Sequence, residues 1–143
     1  MHHDWTFHHI GVACPQIATA REAYEAVGYT FESEFTDPIQ GVRLEFLVGP
    51  GPRLELLEDL PGRNTVAPWI SRRMPTSYHL AWLVPDLLPA LAWLQQRGGR
   101  ATGEPQPAVA FGMHPIVFVL VKGKALVELI HHPASDDPAA DRP

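Results

Sequence analysis

His9-Ile10-Gly11-Val12-Ala13-Cys14-Pro15 is answered, seventy residues on, by His79-Leu80-Ala81-Trp82-Leu83-Val84-Pro85. Each stretch opens on a histidine, runs through apolar residues and meets a proline six positions later. A helical pattern follows both times. From Gln16 to Val27, the residues Ile17, Ala20, Tyr24 and Val27 form one stripe that stops at Gly28. From Leu87 to Arg97, after Asp86 as N-cap, Leu87, Leu91 and Leu94 form another, stopping at Gly98-Gly99. Each half then closes on a strand with a central glutamate, Leu54-Glu55-Leu56-Leu57 and Val127-Glu128-Leu129-Ile130. The spacing from His to Glu is 46 residues in the first half and 49 in the second. A unit written twice in this way predicts a duplicated fold.

The order within each unit is strand, helix, then further strands. In the first they fall at about 30–36, 42–48 and 53–58. In the second they fall at about 116–121 and 125–130, with a weak strand near 100–102. The expectation is an α+β fold of two βαβββ modules forming a cupped mixed β-sheet, with helices on the convex side. Module one runs over about 5–58, a linker over 59–77 and module two over about 78–132, all in one domain. The linker has room for a short helix at 66–73, with Pro68 in its first turn. The polar, proline-containing 133–143 read as a flexible tail.

Alternation along strands assigns faces. Ile10 and Val12 oppose His9; Leu54 and Leu56 oppose Glu55; Leu80, Trp82 and Val84 oppose His79; Val127 and Leu129 oppose Glu128. Val42, Leu44, Phe46 and Val48 form an apolar face suited to packing under the helix, leaving Arg43, Glu45 and Leu47 to point the other way. Two such halves side by side bring two histidines and two glutamates together in one cup. Charges on strands with apolar neighbours are costly unless paired or metal-bound. Two imidazoles with two carboxylates suit one divalent ion, and Zn, Co, Ni, Mn and Fe all fit. His9, Glu55, His79 and Glu128 are therefore the expected ligands.

Other histidines rank lower. His8 has the opposite parity to His9 and should face the helix or solvent. His131 and His132 read as surface, and His2 and His3 as terminal. His114, in a loop rich in Pro and Gly, is within reach of a ligand.

Bulk composition narrows the function. With 143 residues, 45% hydrophobic, the chain can bury a real core. A net charge of -5 gives no electrostatic footprint for nucleic acid and no basic helix for a membrane surface. No apolar run approaches the ~20 residues needed to span a bilayer. The N-terminal stretch lacks the pattern of a secretion signal, and Cys14 is the only cysteine, so a cytoplasmic location is expected. Cys14 itself reads as a buried thiol.

The stretches Phe7-His8-His9-Ile10-Gly11-Val12-Ala13, Arg53-Leu54-Glu55-Leu56-Leu57-Glu58, Tyr78-His79-Leu80-Ala81-Trp82 and Leu126-Val127-Glu128-Leu129 resemble the vicinal oxygen chelate superfamily, the group of glyoxalase I, methylmalonyl-CoA epimerase and extradiol dioxygenases. The resemblance covers about residues 5–132 and looks closest to the methylmalonyl-CoA epimerase branch. Asn64-Thr65-Val66-Ala67-Pro68-Trp69 is similar to that branch's linker. It implies paired βαβββ modules and metal ligands at His9, Glu55, His79 and Glu128.

A second carboxylate fills a position that oxygen activation needs open, so the ligand set favours Lewis-acid proton chemistry. The expected activity is a metal-dependent isomerase or epimerase moving a proton alpha to a metal-bound carbonyl or thioester. Glu128 and Glu45 are the expected acid–base pair. Glu45 falls near the catalytic glutamate of the epimerases by resemblance; its alternative role is a salt bridge with Arg43. A glyoxalase I-like lyase uses the same metal and the same proton transfer. A metal-free, drug-binding member is the reading from another class, and such members tend to lack the ligand set. The expected partner is a small carbonyl or thioester compound, and family members often pair as homodimers. Two departures bear on a CoA substrate. The turn Val121-Lys122-Gly123-Lys124 is shorter than the epimerase hairpin, and only Arg72-Arg73 and Lys122/Lys124 offer cations for phosphates. The apolar stretch 105–112 is long enough to cover the site.

Overall fold

A computed structural model describes residues 4–133. The expected tail beyond Pro133, with His2 and His3, lies outside the described residues. Module one consists of β1 (Thr6–Ala13), α1 (Ile17–Ala26), β2 (Thr30–Asp37), β3 (Val42–Val48) and β4 (Leu54–Asp59). Module two consists of β5 (Thr76–Val84), α2 (Leu87–Gln95), β6 (Gly99–Ala101), β7 (Gln106–Pro107), β8 (Pro115–Val121) and β9 (Ala125–His131). The strands form one sheet in the order β2-β3-β4-β1-β5-β9-β8-β6, with β7 also on β8. β1 lies parallel to β4, and β5 parallel to β9. The modules join where β1 and β5 run antiparallel. This is the expected cupped mixed sheet.

The second module is the less regular. Where β2 pairs with β3 along its length, the matching edge of β8 is covered by two short pieces, β6 and β7. Pro105 precedes β7 and Pro107 ends it, and neither donates a backbone N–H, which fits a broken edge strand. The linker holds one 3-10 turn at Ala67–Trp69, shorter than the expected 66–73 helix. Asp59 explains where it starts: its carboxylate accepts from the N–H groups of Thr65, Val66 and Ala67.

Both faces of the sheet are buried. On the helix face, Ile17 and Ala20 of α1 pack on Val12, Leu47, Leu54 and Leu56. Leu87 and Ala90 of α2 pack on Val84, Val117, Val119 and Leu129. Each large apolar side chain buried this way stabilises the fold by about 1.5–3 kcal/mol. The stripes are shorter than expected: Val27 is exposed beyond the end of α1, and Leu91 and Leu94 are only half-buried.

On the cup face, Val42, Leu44, Phe46 and Leu57 cluster with Ala13 and Val66. The expectation that Val42, Leu44 and Phe46 pack under α1 is therefore corrected. The register decides it: Phe46 sits opposite Glu55 and Glu45 opposite Leu56, so the β3 apolar set shares the face of Glu55. Alternation reports two faces but not which one meets the helix. A second cup-face cluster of Ala81, Leu83, Ala108, Ile116 and Ile130 meets the first at Phe111. Among the described residues no helix is long and apolar enough to cross a membrane.

Candidate metal centre

His9, Glu55, His79 and Glu128 come together at the floor of the cup, all buried, with one donor atom of each within 4.8 Å of the others. Four strands supply them: β1, β4, β5 and β9. His9 Nε2 lies 3.2 Å from His79 Nε2, 3.4 Å from Glu55 Oε1 and 3.2 Å from Glu128 Oε1. His79 Nε2 lies 3.7 Å from Glu55 Oε1 and 3.3 Å from Glu128 Oε1. Donors arranged around a zinc-sized ion at ~2.0–2.2 Å sit roughly 3–3.6 Å from one another.

Two further observations test the fit. Glu128 Oε1 meets hydrogen-bond geometry with no partner, although it is buried between two imidazoles. A buried carboxylate oxygen without a hydrogen bond is costly, and a cation would satisfy it. The proton equilibria point the same way. Burial pushes the His9 imidazole down, but Glu55 and Glu128 overcome it and hold the group up at about 9. Burial pushes Glu128 up, but His79 and His9 win and hold it at about 2. The cluster thus attracts positive charge, and a divalent ion would replace the proton held on His9. The residues fit a metal.

The ligands are set by their neighbours. Gly11 sits directly opposite His79 across the β1–β5 pair. A β-carbon there would overlap the His79 imidazole, so the glycine gives the ring its place. Tyr78 meets His79 edge-on at 4.4 Å and Phe118 does so at 5.1 Å. The register of β1 on β5 shifts twice, once between Phe7 and His9 and once between Gly11 and Val12. The first leaves His8 as the extra residue on β1; the second leaves Tyr78 as the extra residue on β5. Each module therefore carries an irregularity one position before its histidine, turning two consecutive rings toward the cup.

This corrects the expectation for His8. Its Nδ1 lies 2.7 Å from Nδ1 of His9, and its ring packs on Phe46 and Phe111. Burial, with the charges of His9 and Arg53, holds His8 down at about 3, so it is neutral. A neutral His9 that donates Nδ1–H to His8 Nδ1 would turn its Nε2 lone pair to the cluster, the tautomer a ligand needs. His79 has no such support: its Nδ1 is buried with no hydrogen-bond partner.

Glu45 is the main correction. It lies on the helix face, away from the cluster. Its Oε1 accepts from Arg43 Nη2 at 2.7 Å and from Arg21 Nη1 of α1 at 3.0 Å. The salt bridge with Arg43 is the role the structure gives it. His114 is also apart, ring to ring with His131 at 5.5 Å. His131 ends β9 half-buried rather than lying on the surface. Cys14 is buried, and burial pushes its thiol up to about 12, so it is inert.

Behind Tyr78 and Phe118, the rings that meet His79, lies a cavity of about 240 Å³ with Trp69, Val42 and Leu57 among its walls. Beside it the stretch expected to cover the site does so. Phe111 stacks parallel to His9 at 6.3 Å and meets Phe46 at 6.0 Å. The fully buried Asp37 fastens this segment, accepting from Val109 N–H at 3.1 Å as well as from the Ile39 and Gln40 N–H groups and the Gln40 side chain. The Asp37-Pro38 turn signal was available in the sequence; its reach to Val109 was not.

Residues 8–118 match the family described as the Glyoxalase/Bleomycin resistance protein/Dioxygenase superfamily. The chain belongs to that superfamily. It is 26% identical over 125 residues to the ethylmalonyl-CoA/methylmalonyl-CoA epimerase of Cereibacter sphaeroides, covering 85% of this chain and 93% of that one. The crystal structure of methylmalonyl-CoA epimerase from Mycobacterium tuberculosis superposes with a TM-score of 0.74 at 28% identity, over 91% of this chain and 89% of that one. A Streptomyces coelicolor methylmalonyl-CoA epimerase in complex with 2-nitronate-propionyl-CoA gives 0.73 at 25% identity, over 90% and 98%. These relatives are enzymes, and epimerases.

Proposed function

We propose that this chain is a metal-dependent isomerase or epimerase that moves a proton alpha to a carbonyl or thioester. The observation that carries the reading is the convergence of two imidazoles and two carboxylates, one pair from each module, on a single buried point. The epimerase relatives support the reaction class. His9, Glu55, His79 and Glu128 would hold the ion. A divalent ion there supplies Lewis-acid polarisation of a substrate carbonyl, which acidifies the adjacent C–H.

The remaining work falls to side chains. His8 keeps the His9 ring in one tautomer. Gly11, Tyr78 and Phe118 hold His79. The aromatic cover of Phe46 and Phe111 excludes water from the His9 side. Glu128 is held ionised near neutral pH and is the proposed proton acceptor. One observation favours a second reading, a glyoxalase I-like lyase. With Glu45 committed to Arg21 and Arg43, and with Val42, Leu44 and Phe46 on the cup side of β3, that strand offers the site no separate carboxylate. Proton removal and return by the ligand carboxylates alone suits a lyase as well as an epimerase.

The test is deuterium wash-in at the alpha carbon, followed by NMR, across a panel of acyl thioesters and glutathione hemithioacetals. The metal-loaded protein should exchange at least one class, and both the chelated protein and Glu128→Gln should lose the exchange. Loaded protein that exchanges neither class would overturn the proposal.

A further inference from the structure

We infer that the group seated beside the metal centre is an uncharged, apolar acyl or alkyl group, and that a carboxylate at that position is selected against. This rests on the proposed function above and narrows its substrate.

The first support is the charge of the centre. Glu55 and Glu128 cancel a divalent ion, and neutral His9 and His79 add nothing. An anionic substituent therefore gains no net attraction from the centre and meets two carboxylates at close range.

The second support is the cavity on the far side of Tyr78 and Phe118, the two rings that pack against His79. Its walls are apolar or aromatic, and its polar lining residues, Gln40, Thr65 and Thr102, carry no charge. No charged side chain lines it among the described residues. A carboxylate brought there would lose water and find no cation, which is the costly case.

The third support is where the module-one arginines go. Arg21 and Arg43 are paired with Glu45 on the opposite face of the sheet. Arg53 is paired with Glu32, and Arg63 donates to the carbonyls of Pro38 and Ile39. The volume of about 240 Å³ suits a small branched group and not a whole cofactor-sized ligand. The chemistry selected is thus a 2-alkyl thioester or an uncharged hemithioacetal, in contrast to the malonyl group named for the relatives.

The experiment compares two N-acetylcysteamine thioesters of similar size, 2-methylbutyryl and methylmalonyl. Both are titrated into zinc-loaded protein by calorimetry and by the fluorescence of Trp69 at the cavity wall. The uncharged ligand is expected to bind ~10-fold tighter or better. Glu55→Gln keeps the shape and leaves the loaded centre with one net positive charge, so the gap should narrow by about tenfold. If that variant loses zinc, Thr102→Lys at the exposed rim serves instead, and it should tighten methylmalonyl binding relative to the uncharged ligand, narrowing the gap between the two. Equal or tighter binding of methylmalonyl by the wild type overturns the inference, as does failure of both ligands to bind. Deuterium wash-in on the same samples separates this from the reaction. Preferred binding of 2-methylbutyryl without exchange sustains the charge selection and sinks the proton-transfer reading. Exchange confined to a tighter-binding methylmalonyl ligand does the reverse.

Discussion

Replacing Gly11 by alanine adds one methyl group at the point where two strands bring a backbone and a metal-ligand ring together. The new β-carbon would stand closer than 3.0 Å to three atoms of the His79 imidazole, where ordinary contact is 3.4–4 Å. Relief requires the ring to retreat by on the order of 1 Å, several times the ~0.2 Å within which metal–ligand distances hold. The ring has little room to comply, because Tyr78 and Phe118 press on its edges. Gly11→Ala should therefore lower zinc affinity by ~100-fold or more, at least the effect of losing a supporting partner. It should cost about 1–3 kcal/mol of stability from overpacking. Metal content after dialysis against a graded chelator series measures the first, and urea unfolding of the metal-free protein measures the second. A variant that folds and keeps wild-type zinc affinity would refute the placement of His79 over Gly11, and with it the four-ligand geometry.

Glu45→Gln should behave in the opposite way: zinc affinity unchanged, stability down by about 1–3 kcal/mol as two charge-assisted hydrogen bonds weaken, and loss of metal in that variant would return Glu45 to the cup. The metal-free protein should show a signed pH dependence. His9 is raised from 6.5 to about 9, so its contribution is complete below 6.5 and is lost as pH climbs through about 9. Glu128 is lowered from 4.5 to about 2, so its contribution is complete above 4.5 and is lost as pH falls through about 2. Melting temperatures should decline from mildly acidic to alkaline pH, and zinc binding near neutrality should release about one proton per ion, read by calorimetry in two buffers of different ionisation enthalpy; binding without proton release would count against the charged His9. Asp37→Ala should speed amide exchange across residues 105–112 by ~10-fold or more while β1 and β5 stay protected, and unchanged exchange there would show that Val109 is not fastened by Asp37.

The duplication made much of this readable in advance. A histidine at the head of one strand and a glutamate in the last strand, seen once, say little. Seen twice at matching spacing, they predict the module order and bring four side chains to one cup. Four things were hidden. The β3 apolar face was assigned to the helix because one buried face was assumed, whereas the cup is also apolar and covered. Glu45 followed β3 to the wrong side; its salt bridge with Arg43 was legible, but its second arginine, Arg21, comes from α1, 24 residues away. His8 and Tyr78 were hidden by irregularities in strand pairing, which break the two-residue period that parity relies on. Asp37 was hidden because its partner Val109 lies 72 residues on, in the other module.

The two modules are alike where the ion would sit and unlike around it, and that division bears on how such a site acquires a reaction. Each contributes one imidazole, one carboxylate and one extra ring ahead of its histidine. The extra ring is a hydrogen-bonding imidazole in module one and a phenol in module two, so only His9 gains a partner on its second nitrogen. Module two also breaks its edge strand, and the residues freed between β7 and β8 carry Phe111 across to stack on His9. Cover and support thus both gather on the His9 side, while the cavity lies beyond Tyr78 and Phe118, the rings that flank His79. Glu55 Oε1 stands farther from both imidazoles than Glu128 Oε1 does, 3.4 and 3.7 Å against 3.2 and 3.3 Å. The two carboxylates are therefore not placed equivalently about the imidazoles, and of the two Glu128 is the more tightly engaged by both rings.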